Sequence, residues 1–328
     1  MNRLRLSIVV MVVTAVATVA ISCGNTAPKP SAKSVEAGKK QGQEQVAYLP
    51  NLAFKVRQAH VGMSVEQQRE YYAEHFWDEF DFADEAFVES LDNTKMSATL
   101  LMSIACCSTP DTAVEYLEGL MRRTVVSKPV MQYFLTLGER MFYDPNSPYR
   151  NDEFYIPMLR VALESGLLDE YERMPYQSDL RIVSQNRVGH KANDFELTLA
   201  SGRTLTLYGI ESPYTLLFIS NPGCPMCRDV KEDILSSQLL SDMVLDGELT
   251  VVVLYPDEDL EAWRAALKEY PSEWINGYDA RLSIEANDLY DLKAIPSLYL
   301  FDDEKRVLVK DEVSVALIEQ IVAESQEL

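Results

Sequence analysis

Two patterns of apolar residues divide the chain. From about residue 47 to residue 185 the apolar positions recur at helical spacing. In SVEQQREYYAEHFWDEFDF, Tyr72, Phe76 and Phe80 fall four apart, which places them on one helix face. Ser64 with Gln67 three positions later is a capping-box arrangement at the start of that segment. Thr109 followed by Pro110 marks another helix start, because the first turn needs no N–H from proline. Asp144-Pro145-Asn146 and Ser147-Pro148 are turn formers between helices. From about Gly189 onward the pattern alternates instead. DFELTLASGRTLTLYGI predicts two short strands about Ser201-Gly202, and YTLLFIS has the continuous apolar run of a fully buried central strand. A helix follows, then ELTVVVLYPD as a strand and DLEAWRAALKEY as a helix. ARLSIEANDLYDLK is expected to be helical, SLYLFDDEKRVLVKDE a closing hairpin and SVALIEQIVAES a terminal helix. That order predicts an α/β domain over 188–328 with mixed strand directions, preceded by an all-α domain over 47–185.

The first 46 residues follow neither pattern. Arg3 and Arg5 precede an apolar and small-residue run from Leu6 to Ile21, which stops at Ala20-Ile21-Ser22 before Cys23. The run is short for a membrane-spanning helix, and its flanks fit a cleaved signal. A small residue directly before cysteine resembles the bacterial lipoprotein cleavage site. The resemblance implies a signal peptide over 1–22 and a lipidated Cys23. An uncleaved N-terminal anchor is the alternative, and it too would tether an exported chain. Residues 23–46, rich in Gly, Pro, Ser, Ala, Lys and Gln, cannot bury a core and are expected to be a flexible tether. No acidic residue follows Cys23 closely, which by resemblance to lipoprotein sorting signals implies a membrane-anchored protein of the cell envelope facing the periplasm. The formal charge of −21 disfavours nucleic acid and anionic lipid as partners.

Export gives the cysteines their meaning. Cys224 and Cys227, in SNPGCPMCRD, lie three apart where the buried strand gives way to a helix. A helix start aims free N–H groups and the positive end of the helix dipole at Cys224, which favours its anion. Cys227 would sit one turn on, at a Cα separation of about 5 Å that a disulfide accepts. Pro222 and Gly223 shape the turn, and Pro225 fits the first helical turn. A working dithiol competes here with two plainer readings. Zinc needs four ligands, and the other candidates are the adjacent Cys106-Cys107 and three scattered histidines, so no metal and no cofactor are expected. A structural disulfide across so small a loop would stabilise little. Cys106 and Cys107 read as buried, inert thiols, since a disulfide between neighbours is strained.

The combination of VGHKANDFELTLASGRTLTL, YTLLFISNPGCPMC and YDLKAIPSLYLFDDEKRVL resembles the TlpA-like family of membrane-tethered thioredoxin-fold disulfide reductases, from Val188 to the C-terminus. The resemblance implies a thioredoxin-like fold and a redox-active disulfide between Cys224 and Cys227, with Cys224 the nucleophile and Cys227 resolving. It implies a cis-proline at Pro296, with Ile295 offering its backbone to the substrate. Implied partners are exported cysteine-containing client proteins and a membrane electron donor or acceptor. The preceding half, in YYAEHFWDEFDFAD and FYDPNSPYRNDEFYIPML, resembles an uncharacterised helical domain of Bacteroidetes lipoproteins. Two departures bear on proton transfer. The acidic residue that thioredoxins commonly place six before the first cysteine is Phe218 here, and the glutamate the tethered reductases often carry six after it is Val230. Glu232 is only a distant substitute. Two other readings stay open: a thiol peroxidase, disfavoured by Leu217 and Asn221 where that family needs other residues, and a non-catalytic binding lipoprotein with a vestigial CxxC.

Overall fold

The computed structural model describes residues 52–326. The signal, Cys23 and the tether lie outside the described residues. The chain divides into two compact units, with the boundary between Arg173 and Met174.

The first unit is helical. Helix α1, Val65–His75, opens with the expected capping box: Ser64 Oγ accepts the Gln67 N–H, and the Gln67 side chain accepts the Ser64 N–H at 2.9 Å. The helix ends with Phe76 as its C-cap, so Phe80 does not share its face as the four-residue spacing suggested. Phe80 instead sits in the turn after α1 and is buried beside Trp77 and Phe82. Helices α2 (Glu85–Glu89) and α3 (Asn93–Ala105) follow. Helix α4, Pro110–Thr124, is capped by Thr109 as its sequence predicts. Helix α5, Lys128–Gly138, runs into a π-helical turn over Glu139–Tyr143. Gly138 is needed where it stands, because a Cβ there would lie 2.7 Å from the Met158 sulfur. After the Asp144–Pro148 turns come α6, Asp152–Glu164, and α7, Glu170–Val183, which straddles the boundary between the units.

The second unit is a mixed seven-stranded sheet flanked by helices, as expected for the fold class. Strands β1 (Glu196–Leu199) and β2 (Thr204–Thr206) form the first hairpin. Strand β3, Tyr214–Ile219, leads to α8 (Pro225–Ser236) and α9 (Gln238–Leu245). Ser237 closes α8 and caps α9 through its hydroxyl, a break that the apolar pattern did not reveal. Strand β4 (Leu249–Tyr255), helix α10 (Leu260–Ala266), strand β5 (Ile275–Tyr278) and the short α11 (Ser283–Ala286) follow. The antiparallel pair β6 (Ser297–Phe301) and β7 (Val307–Glu312), then α12 (Val315–Gln326), complete the unit.

The sheet order is β2-β1-β5-β4-β3-β6-β7. Strand β3 runs parallel to β4 and antiparallel to β6, at the middle of the sheet. Its alternate residues are buried on both faces. Leu217 and Ile219 join Val252, Leu254, Tyr299 and Phe301 in one core cluster, while Leu216 and Phe218 are equally buried. A strand covered on both sides needs the unbroken apolar run that YTLLFIS supplies. The helix expected over 280–293 shrinks to the four residues of α11. Asp279, itself buried, accepts hydrogen bonds from Arg281 N, Ser283 Oγ and Ile284 N. Leu282 and Asp288 bracket the segment in left-handed backbone, φ 49° and 47°, which a continuous helix forbids.

Candidate active site

The turn after β3 sets the two thiols. Gly223 takes φ 78°, a conformation open to glycine without a Cβ penalty, and delivers Cys224 to the N-cap of α8. Cys224 is half-buried, and its Sγ accepts the Cys227 backbone N–H at 3.2 Å. Pro225 occupies the first turn, where its missing N–H costs nothing. Cys227, Val230, Lys231 and Ile234 form the inward stripe of α8 at i, i+3, i+4 and i+7. Both thiols are free. Burial, above all, pushes the Cys227 thiol up to about 12, and its hydrogen bond to Cys224 acts in the same direction. The Asn221 backbone and the Ser220 hydroxyl oppose this by hydrogen-bonding to the Cys227 sulfur.

The second strand to reach the pair is β6. The Ile295 carbonyl lies 3.8 Å from Cys224 Sγ, and the Ile295–Pro296 peptide is cis. Pro296 is buried at the entry to β6, and the next residue, Ser297, donates its hydroxyl to the buried carboxylate of Asp311 at 2.6 Å. Cys224, Cys227 and Ile295 therefore meet at one place, while Cys23 is outside the described residues. Phe218 and Val230, at the two positions where related proteins carry acids, are both buried apolar residues, and Glu232 is exposed.

A groove of about 230 Å³ opens beside the thiols, lined in part by Cys224, Cys227, Lys231, Glu269 and Tyr270. Lys231 Nζ lies 3.3 Å from Glu269 and 5.0 Å from the centre of the Tyr270 ring. The Tyr270 hydroxyl lies 3.3 Å from Ser220 Oγ. None of Ser220, Lys231, Glu269 or Tyr270 was singled out from the sequence. Lys231 carried a signal, a lysine on the apolar stripe of α8 four residues after Cys227. Tyr270 carried none, since the chain returns it to the site only through β4 and α10.

The remaining candidates lie elsewhere. Cys106 and Cys107, at the end of α3, are free thiols pushed up by burial to about 12 and about 11. His75 pairs with Asp78 at 2.9 Å, while His60 and His190 are exposed. Trp77, Trp263 and Trp274 are all buried. Among the described residues, no three His, Cys, Asp or Glu side chains gather as metal ligands.

Residues 23–186, half the chain, match the family described as a domain of unknown function, DUF5106. The chain is 38% identical to a thioredoxin-like protein from Bacteroides caccae; the match covers 83% of this chain and 98% of that one, with a TM-score of 0.77. It is 44% identical to the C-terminal domain of an uncharacterized protein from Bacteroides fragilis, over 42% of this chain and 98% of that one, with a TM-score of 0.41. The thioredoxin domain of a thiol-disulfide oxidoreductase from Bacteroides vulgatus is similar at 20% identity, over 42% of this chain and 97% of that one, with a TM-score of 0.38. No curated protein matches. The extent of the first two matches shows that the chain belongs to the DUF5106 family and continues into a thioredoxin-like domain.

Proposed function

We propose that the protein is a membrane-tethered thiol–disulfide oxidoreductase of the cell envelope, reducing disulfides in exported client proteins. The observation that carries this reading is the setting of Cys224: half-exposed at a helix N-cap, 3.2 Å from the Cys227 N–H and 3.8 Å from the Ile295 carbonyl. In the reaction, Cys224 attacks one sulfur of a client disulfide, and the other client sulfur leaves with the electron pair and takes up a proton. The Cys227 thiolate then attacks Cys224, forming the internal disulfide and releasing the second client thiol. Two electrons pass from the dithiol to the client, so an envelope thiol donor must reduce the pair again. Ile295, beside Pro296, offers main-chain hydrogen-bonding groups to an extended client segment next to the attacking sulfur.

Equilibrated in glutathione redox buffers, the full chain should show one two-electron couple, mapped by mass spectrometry to Cys224–Cys227. If oxidising buffer yields glutathione adducts on these residues and no internal disulfide, the dithiol reading fails.

The tether is a separate part of the proposal. It rests on the cysteine after Ala20-Ile21-Ser22 and on the apolar run before it. Cys23→Ala should abolish incorporation of labelled fatty acid and shift the protein from the membrane fraction or leave the signal uncleaved. Unchanged acylation in that variant would remove the lipid anchor from the proposal.

A further inference from the structure

A resolving thiol that is 3% exposed and pushed up to about 12 must lose its proton before it can attack. The two positions where an acid would manage that proton are Phe218 and Val230, both buried and apolar. We propose that Ser220 and Tyr270 form a hydroxyl relay that carries the Cys227 proton to the groove as that thiol resolves a mixed disulfide. The proposal rests on the dithiol reading above and assigns the proton step that reading leaves open.

The geometry places the parts in sequence. Ser220 is 2% exposed, at the end of β3, where its N–H is fixed on the Leu254 carbonyl at 3.0 Å. Its hydroxyl hydrogen-bonds to the Cys227 sulfur on one side. On the other it meets the Tyr270 hydroxyl at 3.3 Å, a contact in which either oxygen can donate. Tyr270 is half-buried and lines the groove, so the chain of hydroxyls ends at water. Burial holds Tyr270 above its ordinary value, with smaller contributions from the thiols and Glu269. It therefore stays a neutral hydroxyl through the neutral range, able to accept one proton while giving another. Lys231 lies over the Tyr270 ring and pairs with Glu269, which fixes the ring from its outer face. The groups that act on Cys227 are thus Cys224, the Asn221 backbone, Ser220 and Tyr270, with Lys231 and Glu269 behind Tyr270. Neutral hydroxyls also avoid burying a carboxylate against a thiolate, which would be costly in this environment.

In the step, the Cys227 proton passes to Ser220 Oγ as the Ser220 proton passes to Tyr270, whose own proton enters groove water. The S–S bond from Cys224 to Cys227 forms, the bond from Cys224 to the client sulfur breaks, and the departing thiolate takes a proton from water. Ser220 touches the reacting sulfur; Tyr270 acts through Ser220 and is a positioning residue.

Oxidised glutathione, added to the reduced full chain and followed by acid quench and peptide mapping, separates the two steps. The Cys224 adduct reports the first attack, and its decay to the internal disulfide reports resolution. Tyr270→Phe keeps the ring under Lys231 and should leave adduct formation unchanged, while slowing decay at pH 7 by about tenfold or more. The rise of the decay rate with pH should move to higher pH, because Cys227 without its donors ionises less readily. Ser220→Ala should give the same displacement, more strongly. Asp311→Asn, which alters the carboxylate held by Ser297, should leave the profile in place. Decay that is unchanged in both hydroxyl variants, slowed equally at every pH, or displaced only by Asp311→Asn overturns the relay. An adduct that never decays in the unaltered chain overturns the dithiol reading itself, and the relay with it.

Discussion

Cys224→Ser should abolish disulfide reduction by the full chain, with insulin reduction falling by about 10³-fold or more, because no other described thiol is placed to start the exchange. The reason is access as much as chemistry. Cys224 is half-buried at a helix cap, facing the Ile295 carbonyl, whereas Cys227 lies on the inward stripe of α8 at 3% exposure. Cys106 and Cys107 are pushed up by burial to about 12 and about 11, so little thiolate exists on either near pH 7. Cys227→Ser should behave differently. The first attack survives, the resolving sulfur is gone, and covalent mixed disulfides with client proteins accumulate on Cys224. Iodoacetamide should label Cys224 of the reduced chain ahead of Cys106, Cys107 and Cys227. Equal trapping by both serine variants, or earlier labelling of Cys227, would reverse the assignment of nucleophile and resolving thiol.

Those two thiols were legible because their signal is local. A buried strand, a turn with Gly223, and Cys224-Pro-Met-Cys227 at a helix start lie within fifteen consecutive residues, from Tyr214 to Arg228. Ile295 was reached through a family resemblance, and its approach to Cys224 depends on the antiparallel register of β3 and β6, Ile219 opposite Ser297. Ser220 stood inside the quoted motif and passed unnoticed, since a serine at a strand end has many ordinary uses. Its role depends on Tyr270, which no local pattern connects to it. The same limit explains the errors in the fold. The apolar spacing of ARLSIEANDLYDLK suits a helix, yet Asp279, one residue before it, captures the N–H groups of Arg281 and Ile284 and bends the chain. Strand β5 was missed because Ile275–Tyr278 is only four residues long, including a glycine and an asparagine. In the helical unit, capping was read correctly at Ser64 and Thr109, where one side chain decides the start. The end of α1 was not, since Phe76, Trp77 and Phe80 leave the helix to join a cluster assembled from distant segments.

That cluster carries the largest stability effect expected in the protein. Phe134, on α5, is fully buried and contacts the rings of Trp77, Phe80 and Phe82 at centroid distances of 5.6, 5.7 and 6.0 Å. Trp77 is held from outside as well: its Nε1 donates to the Tyr116 hydroxyl at 2.7 Å, and Arg123 donates to its carbonyl at 2.9 Å. These anchors limit how far the surrounding rings can move into a void. Phe134→Ala should therefore leave much of its cavity open and cost about 3–5 kcal/mol, near the upper end for such substitutions. Phe134→Leu, which refills most of the volume but loses the edge-to-face ring contacts, should cost about 1–2 kcal/mol. Native-state hydrogen exchange of the full chain separates the two units, since peptides from α4 to α6 report on the helical unit and those from β3 and β4 on the sheet. In Phe134→Ala, the slowest amides of α4 and α5 should exchange about 10²-fold faster or more, equivalent to about 3 kcal/mol at a tenfold change per 1.4 kcal/mol. Exchange in α4 and α5 that rises less than tenfold would mean the aromatic cluster collapses around the gap, and that Phe134 is not its keystone.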